Sequence, residues 1–146
     1  LQTDPSLRLW LVGDGSERRT LEDSAENCGI ASRITFWGEQ LDPAPFFSAA
    51  DAFIMSSTSE GLPISLLQAF SIGLPAIVTD VGGMAEAVRL ANAGLIVSMT
   101  DPGKMSDAIL RLAGNAHERA LFGENAQAGF EANFTLRAAV SAYAEL

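Results

Sequence analysis

The sequence predicts a doubly wound α/β fold on a parallel sheet of about five strands. Short apolar runs alternate with stretches of helical spacing along most of the chain, which is the order that βαβ units impose. The apolar runs are nearly continuous rather than alternating, as in strands covered by helices on both faces. Length and composition agree: 146 residues, 48% hydrophobic and 18% charged, suffice for one packed domain, and no repeat, low-complexity run or linker divides them.

The element order follows from local signals. Residues 8–13 (RLWLVG) read as a buried strand running into a glycine turn. Residues 16–27 have helical spacing, with Leu21, Ala25 and Cys28 on one face. Residues 33–37 (RITFW) form a second strand stopped by Gly38, and 43–50 a short helix whose Asp42-Pro43 start suits a capped first turn. A third strand is expected at 52–56 (AFIMS), then a loop at 57–61 and a helix over 63–72, opened by Pro63 and ended by Gly73. Residues 75–79 (PAIVT) give the fourth strand, Gly82 and Gly83 turn into a helix over 84–90, and 94–98 (GLIVS) give the fifth strand. Only helices follow Asp101-Pro102, at about 103–114, 116–130 and 135–146.

The formal net charge is −9 and Lys104 is the only lysine, so the surface disfavours nucleic acid and anionic membranes. No apolar run approaches the roughly 18 residues that span a bilayer, and no signal peptide is visible, so no membrane segment is expected in this chain. The one cysteine, Cys28, lacks a disulfide partner and the company of a zinc site. It reads as a buried or half-buried apolar residue in a reducing, cytoplasmic setting. The chain starts in mid-pattern without an initiator Met, as a fragment would.

In such sheets ligands sit at the carboxyl ends of the strands, which selects the loops at 13–15, 37–39, 56–63 and 80–83. The first holds Gly13 and Gly15. Arg18 stands where a dinucleotide fingerprint would need its third glycine, and no acid closes a second strand as a ribose clamp, which disfavours NAD. The loop is either a tight strand exit or a close approach of backbone to a ligand. The third reads SSTSEGLPISLLQAF over 56–70. Its helix opens at Pro63 with unpaired amides and a positive dipole end, a natural anion site. Gly61 admits a ligand to the backbone, and the Glu60 carboxylate can accept from sugar hydroxyls. Gln68 lies eight residues on and returns to a similar face, so two polar groups could read two ends of an extended ligand. Equally, Glu60 could only complement the dipole and Gln68 only face solvent. The last loop, TDVGGMAE at 79–86, is a glycine turn into a helix, with Glu86 three residues inside where it favours the dipole. His117 lies in a late helix far along the chain and is not read as a base.

Taken together, Ser59-Glu60-Gly61-Leu62-Pro63, Gln68-Ala69-Phe70, Gly73-Leu74-Pro75-Ala76-Ile77-Val78 and Gly82-Gly83 with Glu86 resemble the C-terminal, donor-binding domain of the retaining GT-B glycosyltransferases of family 4, also called group 1. Matches at 9–15, 34–38 and Asp101-Pro102 carry the resemblance over nearly the whole chain. It implies a Rossmann-like fold, the C-terminal half of a GT-B fold, with 1–146 as the nucleotide-sugar domain. It implies a UDP- or GDP-sugar as donor substrate, retaining transfer to an acceptor such as a growing glycan or lipid, no cofactor and no essential metal. By the same resemblance Glu60 is the catalytic residue near the reacting end of the sugar. Gly61 and Leu62 offer amides to sugar or phosphates beside Pro63. Gln68 meets the ribose, Phe36 and Trp37 line the base, and Gly13 and Gly15 border the pocket.

Two departures matter. The family's second acid is Gln68 here, which keeps a carbonyl acceptor and gains an NH₂ donor but loses a charge-assisted bond. The family's opening strand, its diphosphate-neutralising Arg/Lys pair and its N-terminal acceptor domain are expected upstream of Leu1. That domain would be this chain's partner and would make the parent cytoplasmic and membrane-peripheral. The chain alone is then expected to be inactive, with an unpaired sheet edge that favours association. Two other readings are a degenerate GT-B scaffold module, if Gln68 marks a dead site, and a sugar-nucleotide epimerase, which the E-G-x-P loop disfavours.

Overall fold

The computed structural model describes residues 1–138 and 140. They form two compact units, Leu1–Pro43 and Ala44–Leu146. In the first, β1 (Leu9–Val12) leads to α1 (Arg18–Asn27), a 3-10 turn at Ala31–Arg33 and β2 (Ile34–Gly38). The two strands are parallel, with Leu9 opposite Ile34 and Leu11 opposite Phe36; the register then slips so that Val12 meets Gly38. The second unit runs α2 (Ala44–Ala49), β3 (Phe53–Met55), α3 (Ile64–Ser71), β4 (Ala76–Thr79), α4 (Gly82–Ala91), β5 (Gly94–Val97), α5 (Pro102–Gly114) and α6 (Ala116–Asn133). Its strands lie in the order β3-β4-β5, all parallel. Five strands are thus present, as the sequence predicts, in one two-stranded and one three-stranded sheet, each parallel. The helix expected at 135–146 falls largely outside the described residues.

The doubly wound character is clear in the second unit. All four residues of β4 are buried. Ala76 and Val78 turn to one face, in a cluster with Leu66 and Phe70 of α3, Met84 and Val88 of α4 and Ala126 of α6. Ile77 turns to the other, with Ala108 and Leu112 of α5 and Phe122 of α6. Alternation along the strand therefore feeds two helical layers from one apolar run. In the first unit that expectation fails. Leu9, Leu11, Ile34 and Phe36 are half-buried, while Trp10, Val12, Thr35 and Trp37 are exposed. An apolar run need not mean burial on both faces.

Two helix details also differ from expectation. On α1 only Ala25 is buried; Leu21 and Cys28 are exposed. Cys28 ends α1 still in helical conformation, its amide bonded to the Ser24 carbonyl at 3.0 Å, so its exposure reflects what covers that face and not the end of the helix. On α4 the helix starts at Gly82, two residues earlier than predicted, because the chain turns from extended Val81 directly into Gly82 at φ +48. Glu86 is then past the first turn and exposed, so it does not serve the helix dipole as expected.

Candidate functional site

The ligand end of the first unit is a pair of loops joined by hydrogen bonds. Gly13, at φ +125, donates its amide to the Gly38 carbonyl at 2.8 Å. The Gly15 amide is taken by its neighbour Asp14 at 2.8 Å. Both glycine amides therefore have partners and are not free to cradle a phosphate. Arg18, the first residue of α1, sits across both loops. Its Nε meets Glu22 at 2.9 Å and its Nη1 meets Asp14 at 3.1 Å. Its Nη2 donates to the Phe36 carbonyl at 3.3 Å, and its guanidinium lies over the Phe36 ring, 5.8 Å from the centroid. The hydrogen bond to Glu22 first, and Asp14 next, push the guanidinium's pKa up, so it stays charged. Phe36 and Trp37 point to opposite faces of β2. Phe36 is half-buried under Arg18, whereas Trp37 is exposed and meets Trp10 edge-on, ring centroids 6.0 Å apart. The structure separates these two residues, which the resemblance puts on one base.

The ligand end of the second unit is built around the loop between β3 and α3. Buried Thr79, at the end of β4, donates its hydroxyl to the Ser57 carbonyl at 2.6 Å. The Ser57 hydroxyl in turn donates to Glu60 Oε1 at 3.3 Å. Two residues of the loop then lie against the start of α4. A Cβ on Gly82 would stand 1.9 Å from the Glu60 carbonyl oxygen, and one on Gly83 would stand 2.9 Å from that of Gly61. Only glycine permits this approach. The two glycine motifs, far apart in sequence, thus form one contact. It leaves Glu60 half-buried and Gly61 and Leu62 exposed. Among the described residues the amides of Gly61 and Leu62 have no hydrogen-bond acceptor. Pro63 precedes α3 with no side-chain cap. A carboxylate, two unpaired amides and an uncapped helix start therefore gather in one loop, suited to a ligand with hydroxyls and negative charge.

Gln68 sits one turn beyond Ile64 on the exposed face of α3, opposite the buried Leu66, Ala69 and Phe70. Its side-chain amide has no hydrogen bond among the described residues. A concavity of about 480 Å³ lies elsewhere in this unit, lined by Phe47, Ile72, Leu74, Pro75 and Arg119. It lies where β3 and β4 begin, at the wrong end of the strands for a ligand of this fold. Among the described residues, no group of three or more His, Cys, Asp or Glu is gathered as a metal would require, and no helix is long and apolar enough to cross a membrane.

The family model for glycosyl transferases group 1 matches residues 1–129. The chain belongs to that family. Among group 1 relatives, the lipopolysaccharide core biosynthesis glycosyltransferase LpsE of Rhizobium meliloti is 32% identical over 142 residues, covering 97% of this chain and 42% of its own length. The structure of sucrose-phosphate synthase from Thermosynechococcus elongatus superposes with a TM-score of 0.86 at 27% identity, over 98% of this chain and 38% of that one. Anabaena Alr3699/HepE, solved in complex with UDP, gives a TM-score of 0.88 at 23% identity over 97% of this chain and 41% of its own, a likeness of fold. This group 1 chain spans about two fifths of the length of these proteins. Its mixed α/β fold with parallel sheets is that of GT-B glycosyltransferase domains.

Sequence reasoning missed Arg18 and Thr79. In the sequence Arg18 stands out only as the residue in place of a third glycine, yet Asp14 and Glu22 stand four residues to either side of it, the spacing at which opposite charges meet on a helix. Thr79 is a polar residue closing an apolar run, and it is the one buried polar residue of the described core.

Proposed function

We propose that this chain is the donor side of a glycosyltransferase that moves a sugar from a nucleoside diphosphate to a hydroxyl acceptor. The observation that carries the reading is the seating of the 60–62 loop on the Gly82-Gly83 helix start, with a carboxylate beside two unpaired amides. In the proposed reaction the bond from the anomeric carbon to the diphosphate oxygen breaks. A new glycosidic bond forms to the acceptor oxygen on the same face, and the acceptor hydroxyl's proton passes to the departing diphosphate oxygen. Negative charge grows on the departing diphosphate. The amides of Gly61 and Leu62 and the start of α3 are donors suited to that charge.

Glu60 accepts from the donor sugar's hydroxyls, the role that makes it the catalytic residue of the proposal. Gln68 reads the ribose, and Gly13, Gly15 and Phe36 border the nucleotide, with Trp37 the weaker candidate because it faces the other way. The remaining cations and the acceptor site belong to a longer parent whose N-terminal domain is this chain's partner. That parent works in the cytoplasm at the membrane periphery, without an essential metal. The test is transfer from UDP- and GDP-sugars by the parent, with the product's anomeric configuration read by NMR. Retention supports the proposal, as does the absence of transfer by the 146-residue chain alone; an inverted product, or full activity of the short chain, contradicts it.

A further inference from the structure

We propose that Arg18 is a positioning residue of the nucleotide pocket: its guanidinium ties the 13–15 turn to the end of β2, and donor affinity depends on that tie rather than on a contact from Arg18 to phosphate. The inference rests on the donor-site reading above. All three guanidinium nitrogens are committed, to Glu22, Asp14 and the Phe36 carbonyl. Asp14 also holds the Gly15 amide, so a continuous chain of hydrogen bonds runs from Gly15 through Asp14 and Arg18 to Phe36. Gly38 fits the same arrangement. It is buried at φ +68, and a Cβ there would stand 3.3 Å from Arg18 Nη1, tighter than ordinary contact.

A cation held between two carboxylates is a poor phosphate ligand, because a diphosphate would have to displace Asp14 or Glu22 to reach it. Loss of the same cation would free Asp14 at the end of β1, and leave it and Glu22 of α1 uncompensated, where an anionic ligand has to approach. The fork geometry is what the tie requires. A lysine ammonium is a compact charge that cannot hold three partners at these separated positions.

The experiment compares Arg18→Lys, Arg18→Met and the control Arg19→Met, which removes a charge one residue away from a solvent-exposed pair 4.0 Å long. Two quantities are read: amide exchange at Gly13, whose N–H crosses between the loops to Gly38, and calorimetric binding of UDP and of GDP. Both Arg18 variants should quicken exchange at Gly13 and weaken the preferred nucleotide by about tenfold, the loss expected for a charged hydrogen-bond network. The Arg19 control should change neither. Recovery of wild-type affinity in Arg18→Lys would mark a simple charge contact and overturn the proposal, as would unchanged exchange at Gly13 in Arg18→Met. If the wild-type chain binds neither nucleotide, the titrations are repeated on the longer parent that carries the remaining cations; no binding there sinks the donor-site reading and the affinity claim with it, while exchange at Gly13 still decides whether Arg18 ties the loops.

Discussion

Replacing Gly82 with alanine drives a methyl group into the loop that carries Glu60. Its Cβ would stand 1.9 Å from the Glu60 carbonyl oxygen and 3.1 Å from the carbonyl carbon, where real contacts stay beyond 3.0 Å. The loop or the helix start must therefore retreat by about 1 Å, and a displacement of that size at a reacting group costs up to about 100-fold in rate. Alanine also has to hold φ +48, which costs roughly 1–2 kcal/mol. With the strained contact, the total destabilisation is about 2–4 kcal/mol. Urea unfolding of the chain reads the stability, and transfer by the parent reads the displacement. Gly61→Ala is the companion variant. No atom lies within 4 Å of its Cβ, so the fold is expected to keep its stability while the methyl group occupies the space a donor would enter. Gly82→Ala with the wild-type unfolding midpoint and wild-type transfer would refute the argument that this backbone contact seats Glu60.

Other substitutions probe separate parts of the account. Gln68→Glu supplies the family's acid and should tighten nucleotide-sugar binding by about fivefold to tenfold through a charge-assisted bond; calorimetry checks it, and unchanged affinity would remove Gln68 from the site. Thr79→Val keeps the shape but leaves the Ser57 carbonyl without its 2.6 Å donor, costing about 1–3 kcal/mol in urea unfolding. Asp101→Ala deletes the cap that accepts from the Gly103 and Lys104 amides at the start of α5. It should cost about 1 kcal/mol in the same assay and leave donor binding unchanged.

The strands and helices were legible because apolar runs and their punctuation are local. Pro102 and Asp101 mark the start of α5 within one residue of where it lies, and Gly73 follows the end of α3 as expected. What the sequence could not reveal are relations between segments. Burial of β1 and β2 on one face only, the opposed directions of Phe36 and Trp37, and the exposure of Cys28 depend on what covers each face, which periodicity does not report. At the candidate site, Glu60, Gly61 and the Gly82-Gly83 pair were each visible as motifs. That the second pair is small so that the first can lie on it is a fact of contact between residues some twenty positions apart. Arg18 was hidden for a different reason: its partners at four-residue spacing look like ordinary helix-surface charges, and its third partner is a backbone carbonyl on another strand.

The central claim is that Glu60 recognises the sugar of a nucleotide donor. Calorimetric titration of this chain and of Glu60→Ala with UDP, GDP and one sugar conjugate of each tests it most directly. The account predicts that the wild-type chain binds one conjugate more tightly than its bare nucleotide, and that Glu60→Ala loses this gain while keeping the nucleotide's own affinity. A variant that retains the full gain from the sugar would contradict it.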